Sequence, residues 1–335
     1  MRKLSVFFIG IILSFAFVFC GNITLRAAAE PITVYVGGFS AGFTLKTGGA
    51  QVIGLSEVAT DKGVYSPAAT AGIQSGDIIY KVEGIRVETI ADLNEVVDKS
   101  KGKTLSMDIY RGNESIQLKT NAVKESQTNK YKIGVLVRES ISGIGTVTYI
   151  DKTTKRFASL GHSVVGENNR ELQIYNGMVY ECSIVGVSKG VRGKAGELRG
   201  MFLSDKKLGS AEKLCNCGIF GQISEDFKVN DLVSAVASSY EVKPGKAYIY
   251  STVNGTLPMK YQIEIVKVDK WNRENKNYVI KVTDDALIAE TGGIVQGMSG
   301  SPILQDGKLV GAVTHVFLND PTRGYGISIE EMLNE

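Results

Sequence analysis

The sequence predicts a mostly β protein with two domains behind an apolar leader. Its 335 residues exceed what one ordinary hydrophobic core needs. Its apolar stretches are short and rich in Val and Ile, and the chain has 38 glycines against 6 prolines, a pattern typical of strands joined by turns. The 38 basic and 35 acidic residues are spread along the chain, which argues against a nucleic-acid-binding surface.

The N-terminal segment is predicted to direct the protein out of the cytoplasm. Arg2 and Lys3 precede an apolar run from Leu4 to Ile23, and small residues follow at Ala27 to Ala29. A run of about 20 apolar residues also suffices to span a bilayer. Residues 1–29 are therefore predicted to be either a cleaved signal peptide or a retained membrane anchor.

The first predicted domain spans residues 32–123 and combines short strands with one helix. Ile90, Leu93, Val96 and Val97 share one face at helical spacing. Residues 66–79, SPAATAGIQSGDII, followed by Val82-Glu83-Gly84, resemble the signature of bacterial PDZ domains. The resemblance implies a peptide groove, for which we expect a carboxylate-binding loop at Gly42, Phe43 and Thr44, and helix residues Leu93 and Val97.

The second predicted domain covers residues 132–335, after a polar, aperiodic linker at 124–131. Short β-patterned runs recur in it, such as Tyr261 to Ile265, Tyr278 to Val282 and Leu309 to Val316. No helical pattern of similar strength accompanies them. The domain is predicted to be a β-barrel or sandwich.

A glycine-flanked serine in this domain is the strongest chemical signal. Gly297-Met298-Ser299-Gly300-Ser301-Pro302, before an apolar strand, resembles the nucleophile turn of chymotrypsin-like peptidases. A serine that attacks a carbonyl needs a tight turn whose backbone N–H groups face the developing oxyanion. We expect Ser299 to be the nucleophile, with Ser301 as the alternative, and the amides of Gly297 and Ser299 to form the oxyanion hole.

The general base must be one of two histidines, His162 and His315. His162 is favoured because it precedes the serine, as the base does in chymotrypsin-like enzymes. Asp284 and Asp285 end a predicted strand one loop before the serine turn, and Asp284 is the favoured residue for orienting the imidazole.

The cysteines give no sign of a disulfide framework or a metal site. Cys182, Cys215 and Cys217 are an odd number after the leader, and Cys215-Asn216-Cys217 has the wrong spacing for a zinc knuckle. We expect no metal and no cofactor.

The whole chain is similar to the SpoIVB family of sporulation peptidases. The similarity rests on Gly143 to Thr148, on Leu160-Gly161-His162, and on two long blocks, 291–303 and 312–326. It implies secretion into the space between forespore and mother cell, self-cleavage, and cleavage of a membrane-bound regulatory partner. It further implies that this cleavage triggers intramembrane proteolysis and so activates sigma-K. The similarity also implies a catalytic set of His162, Asp284 and Ser299.

Two other functions compete with this interpretation. One is a non-catalytic PDZ adaptor on a degenerate peptidase fold, which the intact serine turn disfavours. The other is a quality-control protease of the HtrA kind, in which the PDZ module follows the protease domain, whereas here it comes first in the sequence.

Overall fold

Strands dominate the computed structural model, which describes residues 32–112, 114–164, 176–229 and 231–335. The predicted leader lies outside these residues. Among them, no helix has both the length and the hydropathy to cross a membrane. In chain order the elements are β1 (Thr33–Val36), β2 (Ser40–Leu55), β3 (Val58–Thr60), β4 (Gly63–Tyr65), α1 (Pro67–Thr70), β5 (Ile78–Val82), β6 (Ile85–Arg86), α2 (Ile90–Lys99), β7 (Thr104–Arg111), β8 (Glu114–Asn121), β9 (Val123–Lys124), β10 (Tyr131–Lys132), β11 (Val135–Asp151), β12 (Arg156–Leu160), β13 (Asn176–Ser188), β14 (Glu197–Cys215), β15 (Gly218–Ile223), β16 (Val233–Ala235), β17 (Gly245–Ser251), β18 (Met259–Val268), β19 (Tyr278–Val282), α3 (Asp285–Thr291), β20 (Pro302–Gln305), β21 (Lys308–Phe317), β22 (Asp320–Ser328) and α4 (Ile329–Leu333).

The second half of the chain forms a closed barrel in the order β17, β18, β19, β22, β21, β20. Strand β17 shows which face points inward: Ala247, Ile249 and Ser251 are buried, and the residues between them are partly exposed. This period of two places one apolar face inside the barrel. The interior is filled by large side chains, each contributing roughly 1.5–3 kcal/mol on burial, among them Ile249, Ile263, Ile280, Ile303 and Val313.

A second ring of strands packs beside this barrel. It runs β2, β11, β12, β15, β14, β13, and β13 pairs back with β2, so the ring closes. Its core is a separate apolar cluster that includes Phe43, Leu45, Phe157, Val179 and Leu208. The prediction of a mostly β protein, with an α+β PDZ-like domain followed by a β-barrel, is confirmed.

The PDZ domain packs helices α1 and α2 against the sheet of β5, β7 and β8. Thr89 and Asp92 form a capping box that starts α2, each side chain accepting from the other residue's backbone N–H. The carboxylate of Asp77, 1 % exposed, accepts two hydrogen bonds from the Arg111 guanidinium at 2.8 Å. Leu93 and Val97, predicted for the peptide groove, are 1 % and 3 % exposed and belong to the core of this domain. That prediction is therefore wrong for both residues.

Strands β2 and β11 belong to both domains, which changes the predicted boundaries. Residues 40–46 of β2 pair with β11 and β13 in the ring, whereas Ala50 and Gln51 pair with β5 in the PDZ sheet. The PDZ domain is therefore inserted between two strands of the peptidase fold. The predicted domains at 32–123 and 132–335 did not include this sharing of β2 and β11. The expected linker at 124–131 lies within a small antiparallel pair, β9 with β10, and the backbone N–H of Tyr131 donates to Asp98 of α2.

The segment Gly42, Phe43 and Thr44 is not a carboxylate-binding loop. It lies inside β2 with β11 paired on one side and β13 on the other, so its backbone groups have strand partners. The ring needs a strand here because β2 joins β11 to β13. The sequence resemblance to a PDZ loop was misleading at this point.

Candidate active site

Ser299 lies on a turn held between the ring and the barrel. The backbone N–H of Thr146 in β11 donates to the carbonyl of Ser299 at 2.9 Å. The buried hydroxyls of Thr146 and Thr148 donate to the carbonyls of Gly297 and Gly300 at 2.9 and 2.8 Å. On the other side, Gly300 N–H donates to the carbonyl of Val313 in β21 at 2.8 Å. Strands β11 and β21 therefore hold the turn from opposite sides through hydrogen bonds to its backbone.

The glycines of the turn are required by conformation and by space. Gly297 has φ +97° and Gly300 has φ +93°, values that favour glycine. A Cβ at Gly300 would stand 2.1 Å from the carbonyl oxygen of Thr146. Any side chain there would push the turn away from β11.

The backbone amides expected to form the oxyanion hole are available. The N–H groups of Gln296, Met298, Gly300 and Ser301 all have backbone acceptors. Within the described part of the chain, the N–H groups of Gly297 and Ser299 have none. Two unpaired donors that flank the candidate nucleophile are what a tetrahedral oxyanion needs.

The two serines of the turn have different surroundings. Ser299 lines a cleft, and its hydroxyl donates to the carbonyl of Thr314 at 2.8 Å. Ser301 is 0 % exposed and its hydroxyl donates to Ser251 at 3.0 Å. Since a buried hydroxyl cannot meet a polypeptide substrate, the structure favours Ser299 over the alternative.

His162 enters the same cleft from the end of β12. Leu160 and Gly161 both have φ +71°, so the chain turns sharply just before the histidine. A left-handed leucine costs on the order of 1–3 kcal/mol, and such strain is often found at functional sites. Nδ1 of His162 lies 2.8 Å from the carbonyl oxygen of Ser163. With the proton on Nδ1 donating to that oxygen, Nε2 is left as the proton acceptor.

His315 lies beside His162, with the ring centroids 4.9 Å apart. Burial lowers the pKa of His162 below its ordinary value, against the opposing effect of the Ser163 hydrogen bond. Burial also lowers the pKa of His315 to about 4, and the charges of His162 and Lys276 act in the same direction. Both imidazoles are therefore neutral at pH 7, and a neutral His162 is a competent general base.

The structure does not bring Asp284 to His162. Asp284 is the N-cap of α3, where one carboxylate oxygen accepts from Leu287 N–H and the other from Gln262 N–H, each at 3.1 Å. Helix α3 ends at Thr291 with Gly292 as its C-cap, and the chain then leads into the serine turn. The prediction that Asp284 orients the imidazole is not supported by this geometry. Its visible role is to fix α3 against β18, while the carbonyl of Ser163 faces the imidazole.

The walls of the cleft are mostly apolar and come from both halves of the peptidase fold. The cavity has a volume of about 420 Å³. Its apolar lining includes Phe43, Leu45, Ile144, Leu160, Ile294 and Val316. The sequence analysis missed Phe43 as a cleft residue because it assigned this residue to the PDZ groove, and it did not identify Leu45.

Fold and site together define a PDZ-containing chain of a serine peptidase class. Residues 129–333 match the SpoIVB peptidase S55 family, and residues 61–111 match the PDZ domain. The first match covers more than half of the chain. The chain belongs to the SpoIVB peptidase S55 family.

Curated relatives share shorter stretches. The chain is 29 % identical over 152 residues to zinc metalloprotease RasP of Shouchella clausii, which is 42 % of this chain and 36 % of that protein. It is 39 % identical over 92 residues to the periplasmic pH-dependent serine endoprotease DegQ of Escherichia coli, which is 28 % of this chain and 19 % of that protein. The chain thus spans about a third or less of the length of these relatives. A solved PDZ domain of an SdrC-like protein from Listeria monocytogenes covers 27 % of this chain and 86 % of its own, with 19 % identity and a TM-score of 0.22.

The lowered histidine pKa values predict how stability depends on pH. The unfolded chain takes up protons near the ordinary histidine pKa of about 6.5, whereas the folded protein does not. Stability is therefore fully present above pH 6.5 and falls as the pH drops below it. NMR titration of the two histidines should give midpoints below 6.5 for both. A His162 midpoint at or above 6.5 would contradict the buried, neutral base.

Substitution of Asp284 distinguishes a helix cap from a catalytic carboxylate. Asp284→Ala should lower the free energy of unfolding by about 1–2 kcal/mol, measured by urea denaturation, because α3 loses its cap. Asp284→Asn retains a capping oxygen, so peptidase turnover of the folded protein should stay within about tenfold of wild type, with exposed Asp285→Asn as control. A loss of about 10⁴-fold at unchanged stability would instead make Asp284 the orienting carboxylate.

Proposed function

We propose that this chain is a serine endopeptidase that works by acyl-enzyme chemistry, with Ser299 as nucleophile and His162 as general base. The observation that supports this most is the pair of unpaired N–H groups at Gly297 and Ser299, beside a serine hydroxyl in a cleft that also contains a neutral histidine. Membership of the SpoIVB peptidase S55 family points to the same chemistry.

The reaction begins when the Ser299 hydroxyl leaves the carbonyl of Thr314 and turns toward the substrate. Oγ attacks the scissile carbonyl carbon while Nε2 of His162 takes its proton, and the oxyanion accepts hydrogen bonds from Gly297 and Ser299 N–H. When the tetrahedral intermediate collapses, the C–N bond breaks and the imidazolium gives its proton to the leaving amine. Water then attacks the acyl-enzyme by the same route, which releases the acid product and regenerates Ser299.

The His162 imidazolium formed in this cycle needs a hydrogen-bond acceptor at Nδ1, the ring nitrogen that does not receive the Ser299 proton. Nδ1–H of His162 donates to the carbonyl of Ser163, so that oxygen holds the tautomer and shares the positive charge. A carbonyl dipole stabilises an imidazolium less than a carboxylate does. We therefore expect a lower turnover than a carboxylate partner would give, which is compatible with a regulatory enzyme that cleaves few targets.

The biological role that we propose follows from the family. The protease acts in sporulation, cleaves itself and a membrane-bound regulatory partner, and so triggers the intramembrane proteolysis that activates sigma-K. It would work between the forespore and mother-cell membranes, which it reaches through the leader, either as a released protein or as a membrane-anchored one. The apolar cleft suits substrates with large apolar side chains next to the cut bond.

Separate alanine substitutions of Ser299 and Ser301 test which serine is the nucleophile. Ser299→Ala should abolish cleavage of a peptide substrate and self-cleavage, with a loss of roughly 10⁴-fold or more, while thermal unfolding stays close to wild type. His162→Ala should be equally inactive, and His315→Ala should keep measurable turnover. Ser301→Ala serves as the matched control. An active Ser299→Ala protein together with an inactive Ser301→Ala protein would move the nucleophile to Ser301.

The proposal also gives the PDZ domain a role in choosing substrates. Among the described residues, the part of β11 from Val135 to Val137 pairs with β2 on one edge only, and α2 packs near β11. Gly134, with φ +77°, precedes this strand, and Leu136 is 53 % exposed. PDZ domains bind an extended peptide by adding it to such an edge. This position replaces the groove expected at Gly42 to Thr44.

Because the PDZ domain is inserted, it can be removed only at positions that leave the ring intact. A simple deletion of the predicted PDZ residues, such as 36–120, would also remove β2 from the ring. The test therefore replaces only Thr47–Glu139, with the two-residue turn Asn-Gly. This turn joins Lys46 to Ser140, which are paired across β2 and β11. This protein should hydrolyse a short peptide at near wild-type rate and lose self-cleavage and cleavage of the membrane partner. Leu136→Asp should do the same in the full chain, with exposed Val64→Asp as control. Equal losses for short and membrane-bound substrates would refute the docking role.

A further inference from the structure

The turn between β14 and β15 brings two cysteines close to a carboxylate from a distant part of the chain. Cys215 ends β14, and Cys217 precedes β15. The two Sγ atoms and a carboxylate oxygen of Glu335, which follows α4, all lie within 4.8 Å of one another. Glu335 is 120 residues away in sequence, and the fold alone brings it to Cys215.

The surroundings of this cluster suit a cation. Cys217 is 6 % exposed, whereas Cys215 is half-buried and Glu335 exposed, so the site is rigid on one side and open on the other. Oδ1 of Asn275 lies 3.9 Å from Cys217 Sγ. The ammonium of Lys213 lies 2.9 Å from the carboxylate of Glu335, so this ion pair has to open before the carboxylate can bind a metal ion.

We propose that Cys215, Cys217 and Glu335 bind a zinc ion, with water in the fourth position. Two thiolates that each lie 2.3 Å from a tetrahedral zinc are about 3.8 Å apart. The two sulfur atoms here lie within 4.8 Å of each other, so a movement of about 1 Å or less would bring them to that distance. Sulfur and carboxylate ligands match the borderline-soft character of zinc. Binding releases two thiol protons and moves Lys213 off Glu335.

The ion would connect the active-site side of the ring to the segment after α4. Gly218, next to Cys217, pairs with Leu160, two residues before His162. A Cβ at Gly218 would stand 1.9 Å from the carbonyl of Ser159, so the turn lies directly against the segment that carries the histidine. Zinc at this turn would therefore raise the stability of the folded protein. The inference does not depend on the proposed peptidase activity.

Cobalt provides the spectroscopic test, on the full chain purified in a reducing buffer with thiol titration to confirm free cysteines. We expect a thiolate-to-cobalt charge-transfer band that one equivalent of zinc removes. The control variant with Cys20→Ser and Cys182→Ala keeps Cys215 and Cys217, and it should keep the band. Cys215→Ser and Cys217→Ser should each lose most of it. Glu335→Gln should keep the band and weaken zinc binding by about 10-fold or more.

Thermal unfolding supplies a second measurement that does not need the chromophore. Zinc should raise the Tm of the control variant and leave the Tm of Cys215→Ser unchanged. The proposal is overturned by wild-type protein with free thiols that gives no band, or by a band that Cys215→Ser leaves intact. It is also overturned if Cys215 and Cys217 form a disulfide in the reducing buffer.

Discussion

The backbone clamp on the serine turn is the constraint on which the rest of the site depends. Thr146 and Thr148 of β11 donate to carbonyls on either side of Ser299, and β21 holds the turn from the opposite wall. Among the described residues, the N–H groups of Gly297 and Ser299 have no backbone acceptor, and both residues line the cleft. In the proposed mechanism these two donors are in place before substrate binds, and such electrostatic preorganisation is the kind that contributes most to acyl transfer.

The same strand explains why the PDZ domain is inserted rather than appended. Strand β11 begins in the PDZ sheet and ends beside the serine turn, and β2 accompanies it along most of its length. A peptide added to the free edge of β11 near Leu136 would therefore contact the strand that carries Thr146 and Thr148. Substrate selection and the catalytic turn share one continuous element of secondary structure.

Local signals in the sequence were sufficient for part of this architecture. The period of two in the strands, the glycines at 297 and 300, and the PDZ signature at 66–79 each depend on neighbouring residues, and each predicted the right class of structure. Pairings between distant residues could not be seen. The pairing of β2 with β13 displaced Gly42, Phe43 and Thr44 from the expected groove, and burial in the PDZ core excluded Leu93 and Val97. Asp284 was chosen for its distance from Ser299 in sequence, but its oxygens are occupied by backbone N–H groups.

The most direct test of the account is fluorophosphonate labelling of the folded protein, followed by mass-spectrometric mapping of the adduct. A fluorophosphonate needs an accessible serine, a base that takes the hydroxyl proton, and N–H donors for the phosphoryl oxygen, so it reports on the preformed site as a whole. We expect a single adduct on Ser299, formed in wild type and in His315→Ala but not in His162→Ala. An adduct on Ser301, or no adduct on protein that is folded by near-ultraviolet circular dichroism, would contradict the central claim.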